Sequence, residues 1–247
     1  MNIKLTIAYD GTRYLGWQRL GGQLRQQSIQ GYIEEVLSVV LKSEIRVTGS
    51  GRTDRGVHAM GQVVNFHVKK LSENVADLPR LCNDRLPEDI RVLRAEQVNA
   101  RFHARRSARE KTYCYRLDTR SVPCVFERKY ALWVPESLCI DRMEEAARLL
   151  EGTHDFAAFS TGGEEREDTV RTIYAIRFLK EPPGLVIAVC GDGFLYNMVR
   201  ILVGTLLEVG KGERTLQQIE EALSGRDRKL AGQTVSSVGL FLKEVVY

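Results

Sequence analysis

The sequence predicts an α+β protein with mainly antiparallel sheet, on three observations. Alternating apolar and polar residues, the mark of half-buried strands, recur along the chain. Segments of helical spacing interleave with them irregularly, unlike the strict alternation of a parallel βαβ fold. The kinds of element found early in the chain recur later, where Pro182-Pro183-Gly184 marks a hairpin turn. Residues 1–118 and 119–247 are therefore expected to be two similar halves of one compact body.

Taken in order, Ile3, Leu5, Ile7 and Tyr9 alternate with Lys4, Thr6 and Ala8 and end at Asp10-Gly11, so a strand opens the chain. A Gly-rich loop carrying Trp17 leads to Ser28, which can cap a helix with Ile29, Tyr32, Ile33, Val36, Leu37 and Val40 on one face. Strands are expected at 45–48 and 62–68, separated by the Gly-dense segment 49–56. A helix over 78–86 and strands over 90–98 and 112–117 complete the first half. The second half offers a helix over 141–151, strands over 171–179 and 185–190, helices over 195–208 and 216–223, and a last strand over 238–245.

Of 247 residues, 43% are hydrophobic and 28% charged, which places the chain among ordinary globular proteins and not among disordered ones. Its five cysteines, odd in number and never spaced as C-x-x-C, disfavour a disulfide framework and a zinc knuckle. The N-terminal residues lack an apolar signal-peptide core, and no run approaches the roughly 18 apolar residues needed to span a bilayer. A cytoplasmic protein with reduced thiols and no membrane association is expected.

The net charge of +4 decides little, but its distribution is uneven. Between residues 101 and 116 the chain sets Arg101, Arg105, Arg106, Arg109, Lys111 and Arg116 against Glu110 alone, interleaved with Phe102, Tyr113 and Tyr115. Such a stripe suits a polyanion with exposed bases, or is simply a solvated strand edge. In 49–56, three glycines within eight positions let the backbone place Arg52, Thr53 and Asp54 on a rim, either as a polar turn or to present a catalytic carboxylate. The segment matches neither a Walker loop nor a dinucleotide fingerprint. Arg200 sits in the apolar run 195–203, where its guanidinium needs a carboxylate or a route to water. His58 near Asp54, and His154-Asp155, raise the question of a metal, but neither H-x-x-x-H nor H-E-x-x-H occurs, so no metal is expected.

Gly51-Arg52-Thr53-Asp54-Arg55-Gly56-Val57-His58-Ala59, followed by Gly61-Gln62-Val63-Val64-Asn65-Phe66, closely resembles the catalytic motif of the TruA family of pseudouridine synthases. The resemblance extends through residues 14–18, 102–105, 111–113, 152–156 and 194–204, nearly the whole chain. It implies a pseudouridine synthase fold, with two similar α+β halves about a pseudo-two-fold and an active cleft between them. It implies that Asp54 attacks the target nucleoside, that Tyr113 packs on the uracil, that Arg52 helps displace the flipped base, and that Arg200 pairs with the aspartate. Arg105, Arg106 and Arg109 are then candidates for phosphate contacts. The implied substrates are uridines 38, 39 and 40 of the tRNA anticodon stem-loop, handled by a homodimer without cofactor or metal. Two readings from other classes compete: a non-catalytic RNA-binding module, and a metal-dependent nuclease using Asp54, His58 and Asp155.

Overall fold

A computed structural model describes residues 1–22, 27–71 and 74–247, and in it the chain divides into two units: Met1–Arg109 with Phe241–Tyr247, and Glu110–Leu240. The first unit contains β1 (Asn2–Tyr9), α1 (Ile29–Val40), β2 (Thr48–Gly49), β3 (His58–His67), α2 (Leu78–Asn83) and β4 (Ile90–Val98). The second contains β5 (Glu110–Asp118), β6 (Leu132–Trp133), α3 (Ile140–Leu150), β7 (Gly152–Asp155), β8 (Val170–Glu181), β9 (Gly184–Gly191), α4 (Met198–Gly210) and α5 (Leu216–Ser224). A final strand, β10 (Leu240–Val246), returns the chain to the first unit. The expected halves at 1–118 and 119–247 thus differ from these units in where β5 falls and in the return of the C-terminus.

In the first unit β1 is central, antiparallel to β3 on one side and β4 on the other, and β10 pairs parallel with β3 at Phe241 opposite His58. Period two divides the sheet's faces. Ile3, Leu5 and Ile7 lie opposite Phe66, Val64 and Gln62, and all six are buried. Lys4 and Thr6, opposite Asn65 and Val63, occupy the other face, where the Lys4 ammonium lies over the rings of Phe102 and Tyr247.

Helix α1 begins where Ser28 accepts a hydrogen bond from Gly31 N–H at 3.3 Å. Its buried face includes the expected Ile29, Ile33, Val36 and Leu37, and also a carboxylate, Glu34, at 1% exposure. The strand expected at 45–48 shrinks to Thr48–Gly49, because Val47 spends its backbone groups on α1. Its N–H donates to Glu34 Oε1 and its carbonyl accepts from Gln30 Nε2. Helix α2 ends at Asn83, earlier than the expected 86, with the Asn83 side chain bonded to the Val92 backbone and Pro87 disfavouring helical conformation at Leu86.

In the second unit the strands run β5-β9-β8-β7, all antiparallel neighbours, with Glu181 and Gly184 closing the hairpin at Pro182-Pro183. The short β6 and β7 lie outside the expected strands, being too brief to show a period. Helix α4 starts at Met198 and not at Leu195, because Asn197 takes a left-handed conformation with φ of 61°. Nearly every α4 side chain is buried, and full burial of each Ile, Leu or Val contributes about 1.5–3 kcal/mol. Gly204 belongs to that packing, since a Cβ there would stand 1.9 Å from the Gln233 carbonyl. The mixture of helices with mainly antiparallel sheet is the α+β class that the patterning predicts.

Candidate active site

The carboxylate loop runs from β2 back along β3. Ser50 N–H donates to Val63 O at 2.8 Å, Ser50 Oγ donates to Gln62 Oε1 at 2.5 Å, and Gln62 Nε2 donates to Gly51 O at 3.1 Å. Buried Gln62 therefore holds the start of the loop through both ends of its amide. Thr53 turns inward, 5% exposed, with its hydroxyl 2.8 Å from that of Tyr9. Burial pushes the Tyr9 hydroxyl up to about 12, against the opposing hydrogen bonds of Thr53 and Gln62, so this contact stays neutral near pH 7. With Thr53 as the inward anchor, its neighbours face outward: Arg52 is exposed and Asp54 half-buried. The loop closes through Val57 N–H to Asp54 O at 3.1 Å, with Gly56 at φ 76°.

A second strand of chain grips the loop from behind. Trp17 N–H donates to Thr53 O at 2.9 Å, and the approach is possible because residue 16 is glycine. At Gly16, φ is +109° and an added Cβ would lie 2.8 Å from Thr53 O. The Trp17 indole packs on Gly49, where a Cβ would meet the ring at 2.9 Å. The carbonyls of Gly16 and Trp17 in turn accept from Ile29 and Gln30 N–H, two donors in the first turn of α1.

The basic stripe is divided between the two units. Arg101, Arg105, Arg106 and Arg109 are exposed on the loop between β4 and β5, whereas Arg116 on β5 pairs with Glu127 at 3.3 Å. Among the described residues no carboxylate lies within 4.0 Å of those four loop arginines. Ala104 anchors their loop, with its N–H on Asn65 Oδ1 and its carbonyl on the Tyr247 hydroxyl. Since Asn65 and Gln62 point to opposite faces of the sheet, β3 holds the arginine loop on one face and the carboxylate loop on the other. Two aromatics of the stripe serve packing: Phe102 lies against Tyr247 at 4.8 Å, and Tyr115 is fully buried with its hydroxyl on Ser236 O.

In the second unit Tyr113 is on β5, 8% exposed, its ring edge-on to Phe194 at 5.3 Å. Arg200 lies in the first turn of α4, half-buried, donating from Nε to Val235 O at 2.7 Å and from Nη1 to Asn197 Oδ1 at 2.9 Å. Two bonds fix the plane of a guanidinium that has five N–H donors. Asn197 both ends the preceding loop and orients this cation, a role that its polar side chain within an apolar run could have signalled. The same is true of Gln62 and Asn65 within β3.

The histidines and acids weighed for a metal have local partners. His58 Nδ1 accepts from Gly11 N–H at 3.1 Å, and its ring stacks on Phe241. His154 Nε2 bonds to Glu151 O, while Asp155 accepts from Ala157 N–H, Thr169 and Arg226. Burial opposes ionisation of Asp155, but these bonds prevail and hold its carboxyl below the usual range.

A family profile described as "tRNA pseudouridine synthase" matches residues 5–105 and 146–247. The chain is 46% identical over 248 residues to the tRNA pseudouridine synthase A of Bacillus sp. (strain KSM-64), covering 100% of this chain and 99% of that one. Against the enzyme of the same name from Bacillus pumilus (strain SAFR-032), identity is 45% over 249 residues, covering 100% and 99%. Against that of Geobacillus kaustophilus (strain HTA426) it is 46% over 246 residues, covering 99% and 94%.

The close approach at Gly16 gives a direct test. Gly16→Ala forces a left-handed alanine onto Thr53 O and is expected to destabilise the protein by about 1–3 kcal/mol in chemical denaturation. Amide exchange at Trp17 should accelerate; an unchanged rate would show that the loop is held elsewhere.

Proposed function

We propose, from the premise that this chain belongs to the tRNA pseudouridine synthase family, that it isomerises uridines 38, 39 and 40 of the anticodon stem-loop and that Asp54 carries the chemistry. As a member of that family it is an isomerase. The reaction breaks the N1–C1′ bond, turns the uracil, and joins C5 to C1′, with a proton lost from C5 and one taken up at N1. Atoms and electrons balance within the nucleoside, so the conversion calls on a positioned carboxylate and a proton acceptor, and on no metal or organic cofactor.

The observation that carries this reading is the carboxylate loop itself. Asp54 stands half-buried next to a residue fixed by side-chain and backbone bonds, the arrangement expected of a group that must meet a reacting atom with little freedom. In this reading Arg200 supplies the counter-charge that keeps the aspartate ionised, and Tyr113 packs on the uracil. The target base lies within a stacked stem, so it is extruded at a cost of a few kcal/mol, which exposed Arg52 helps offset.

Arg105, Arg106 and Arg109, exposed and without carboxylate neighbours among the described residues, suit phosphate contacts, and A-form RNA favours reading by shape and backbone. We further propose that the enzyme works in the cytoplasm as a homodimer. No helix among the described residues is long and apolar enough to cross a membrane.

Purified protein mixed with tRNA transcript tritiated at uridine C5 is expected to release tritium, mapped to positions 38 to 40. Asp54→Asn should abolish that release while still binding the transcript, since shape is kept and charge removed; retained release would remove Asp54 from the chemistry. For Tyr113→Phe, stacking worth about 1–3 kcal/mol persists, whereas loss of an acid or base hydroxyl costs roughly 10²–10⁴ in rate. Near-normal binding with turnover at least about a hundredfold slower is therefore expected, and normal turnover would leave Tyr113 a packing surface alone. Replacing Arg105, Arg106 and Arg109 together by alanine should flatten the slope of log affinity against log salt by roughly 0.7–0.9 for each phosphate that is no longer neutralised. An unchanged slope would assign these arginines to solvent.

A further inference from the structure

Glu34 is the one carboxylate on the buried face of α1, and every partner its side chain has among the described residues is a donor. Its Oε1 accepts from Gln30 Nε2 at 3.0 Å and from Val47 N–H at 3.1 Å; its Oε2 lies 3.3 Å from Arg46 Nη1 and 3.6 Å from Arg19 Nε. Gln30 extends the cluster, its Oε1 accepting from Arg19 N–H at 3.0 Å and its Nε2 donating also to Val47 O. The two chain segments gathered here are the two that set the carboxylate loop. Arg19 follows Trp17, whose N–H holds Thr53 O, and Val47 leads through Gly49 into Ser50 and Asp54. A buried charge with these partners is costly to place, and three of the four, Arg19, Arg46 and Val47, come from the two segments that lead to the loop.

We propose that Glu34 is a positioning residue for the Asp54 loop: its carboxylate fixes the spacing between residues 16–19 and 46–49, and through that spacing the place of Asp54. The proposal rests on the reading that Asp54 carries the chemistry. Glutamine at this position would keep volume, but its amide nitrogen would face N–H donors in either orientation. Aspartate would keep the acceptors and lose a methylene. A role in packing therefore ranks Glu34→Gln above Glu34→Asp, and a role as acceptor ranks them the other way.

The test measures tritium release by the full chain, at a temperature where thermal melts show each variant folded, together with amide exchange over residues 16–19 and 46–57. For Glu34→Gln, kcat is expected to fall roughly 10–100-fold with KM for the transcript little changed, and exchange in both segments to accelerate. Glu34→Asp should retain more kcat than Glu34→Gln. A folded Glu34→Gln with kcat within about twofold of the unaltered enzyme, or with more activity than Glu34→Asp, would overturn the proposal. If Glu34→Gln does not fold, Gln30→Met, which removes the shared amide and leaves the carboxylate, carries the same expectation for exchange and rate. If the unaltered chain releases no tritium, the reading of Asp54 fails, and the exchange measurement still judges Glu34: unchanged exchange in both segments sinks it.

Discussion

The hydrogen bond from Trp17 N–H to Thr53 O is the constraint on which the candidate site depends. A loop of eight residues with three glycines has many conformations, and fixing each residue costs about 1–2 kcal/mol of backbone entropy. What offsets that cost is a frame on three sides: Gln62 and Val63 from β3, Tyr9 from β1, and the segment from Gly16 to Trp17. Gly16 matters because only a residue without Cβ lets one backbone lie so near another. The same segment supplies carbonyls to the first N–H groups of α1, so the start of that helix and the loop are held by one piece of chain.

The second unit solves a related problem by different means. Arg200 must keep a charged head within a helix whose other faces are buried, and it does so from the first turn, where Asn197 and the Val235 carbonyl orient it. The bond from Asn197 Nδ2 to Thr161 Oγ1 fixes the amide, so the guanidinium is held by a group that is itself held. Tyr115 fastens the neighbouring residue, Ser236, through its hydroxyl, and burial pushes that hydroxyl well above the ordinary tyrosine range. The segment from Val235 to Ser236 is thereby fixed at two successive carbonyls.

The fold was legible where a period could develop. The alternation of β1 and the spacing of α1 place both elements within a residue, and Ser28 caps its helix as its position suggests. Where a side chain took over a backbone bond, the period misled. Val47 looks like a strand residue but bonds to Gln30 and Glu34, and Asn197 delays α4 by adopting a left-handed turn. The carboxylate loop was legible through its glycines and its resemblance to a catalytic motif, whereas nothing local ties its supports at Tyr9 and Gly16 to it, and Gln62 stands out only as a polar side chain within an apolar strand. Phe102 and Tyr115 show what adjacency to arginines does not reveal, since Phe102 packs on Tyr247 and Tyr115 is fully buried.

The arginines themselves divide by environment more sharply than by sequence. Arg46, Arg120, Arg214 and Arg226 each face a carboxylate, and Arg214 pairs with Glu208 where both are largely buried. The exposed pair of Arg226 with Asp155 is worth about 0–1 kcal/mol, so its role is to set local geometry. Arg101, Arg105, Arg106 and Arg109 have no such neighbour among the described residues, yet their backbone is fixed: His103 Nδ1 accepts from the N–H groups of Arg105 and Arg106, and Arg109 N–H bonds to Val246 O. A mobile loop would spread its charge over many positions and lose ordering entropy on meeting a polyanion. A fixed loop with uncompensated cations has already met that cost in folding, and it holds a positive field in one place, where salt weakens it but motion does not.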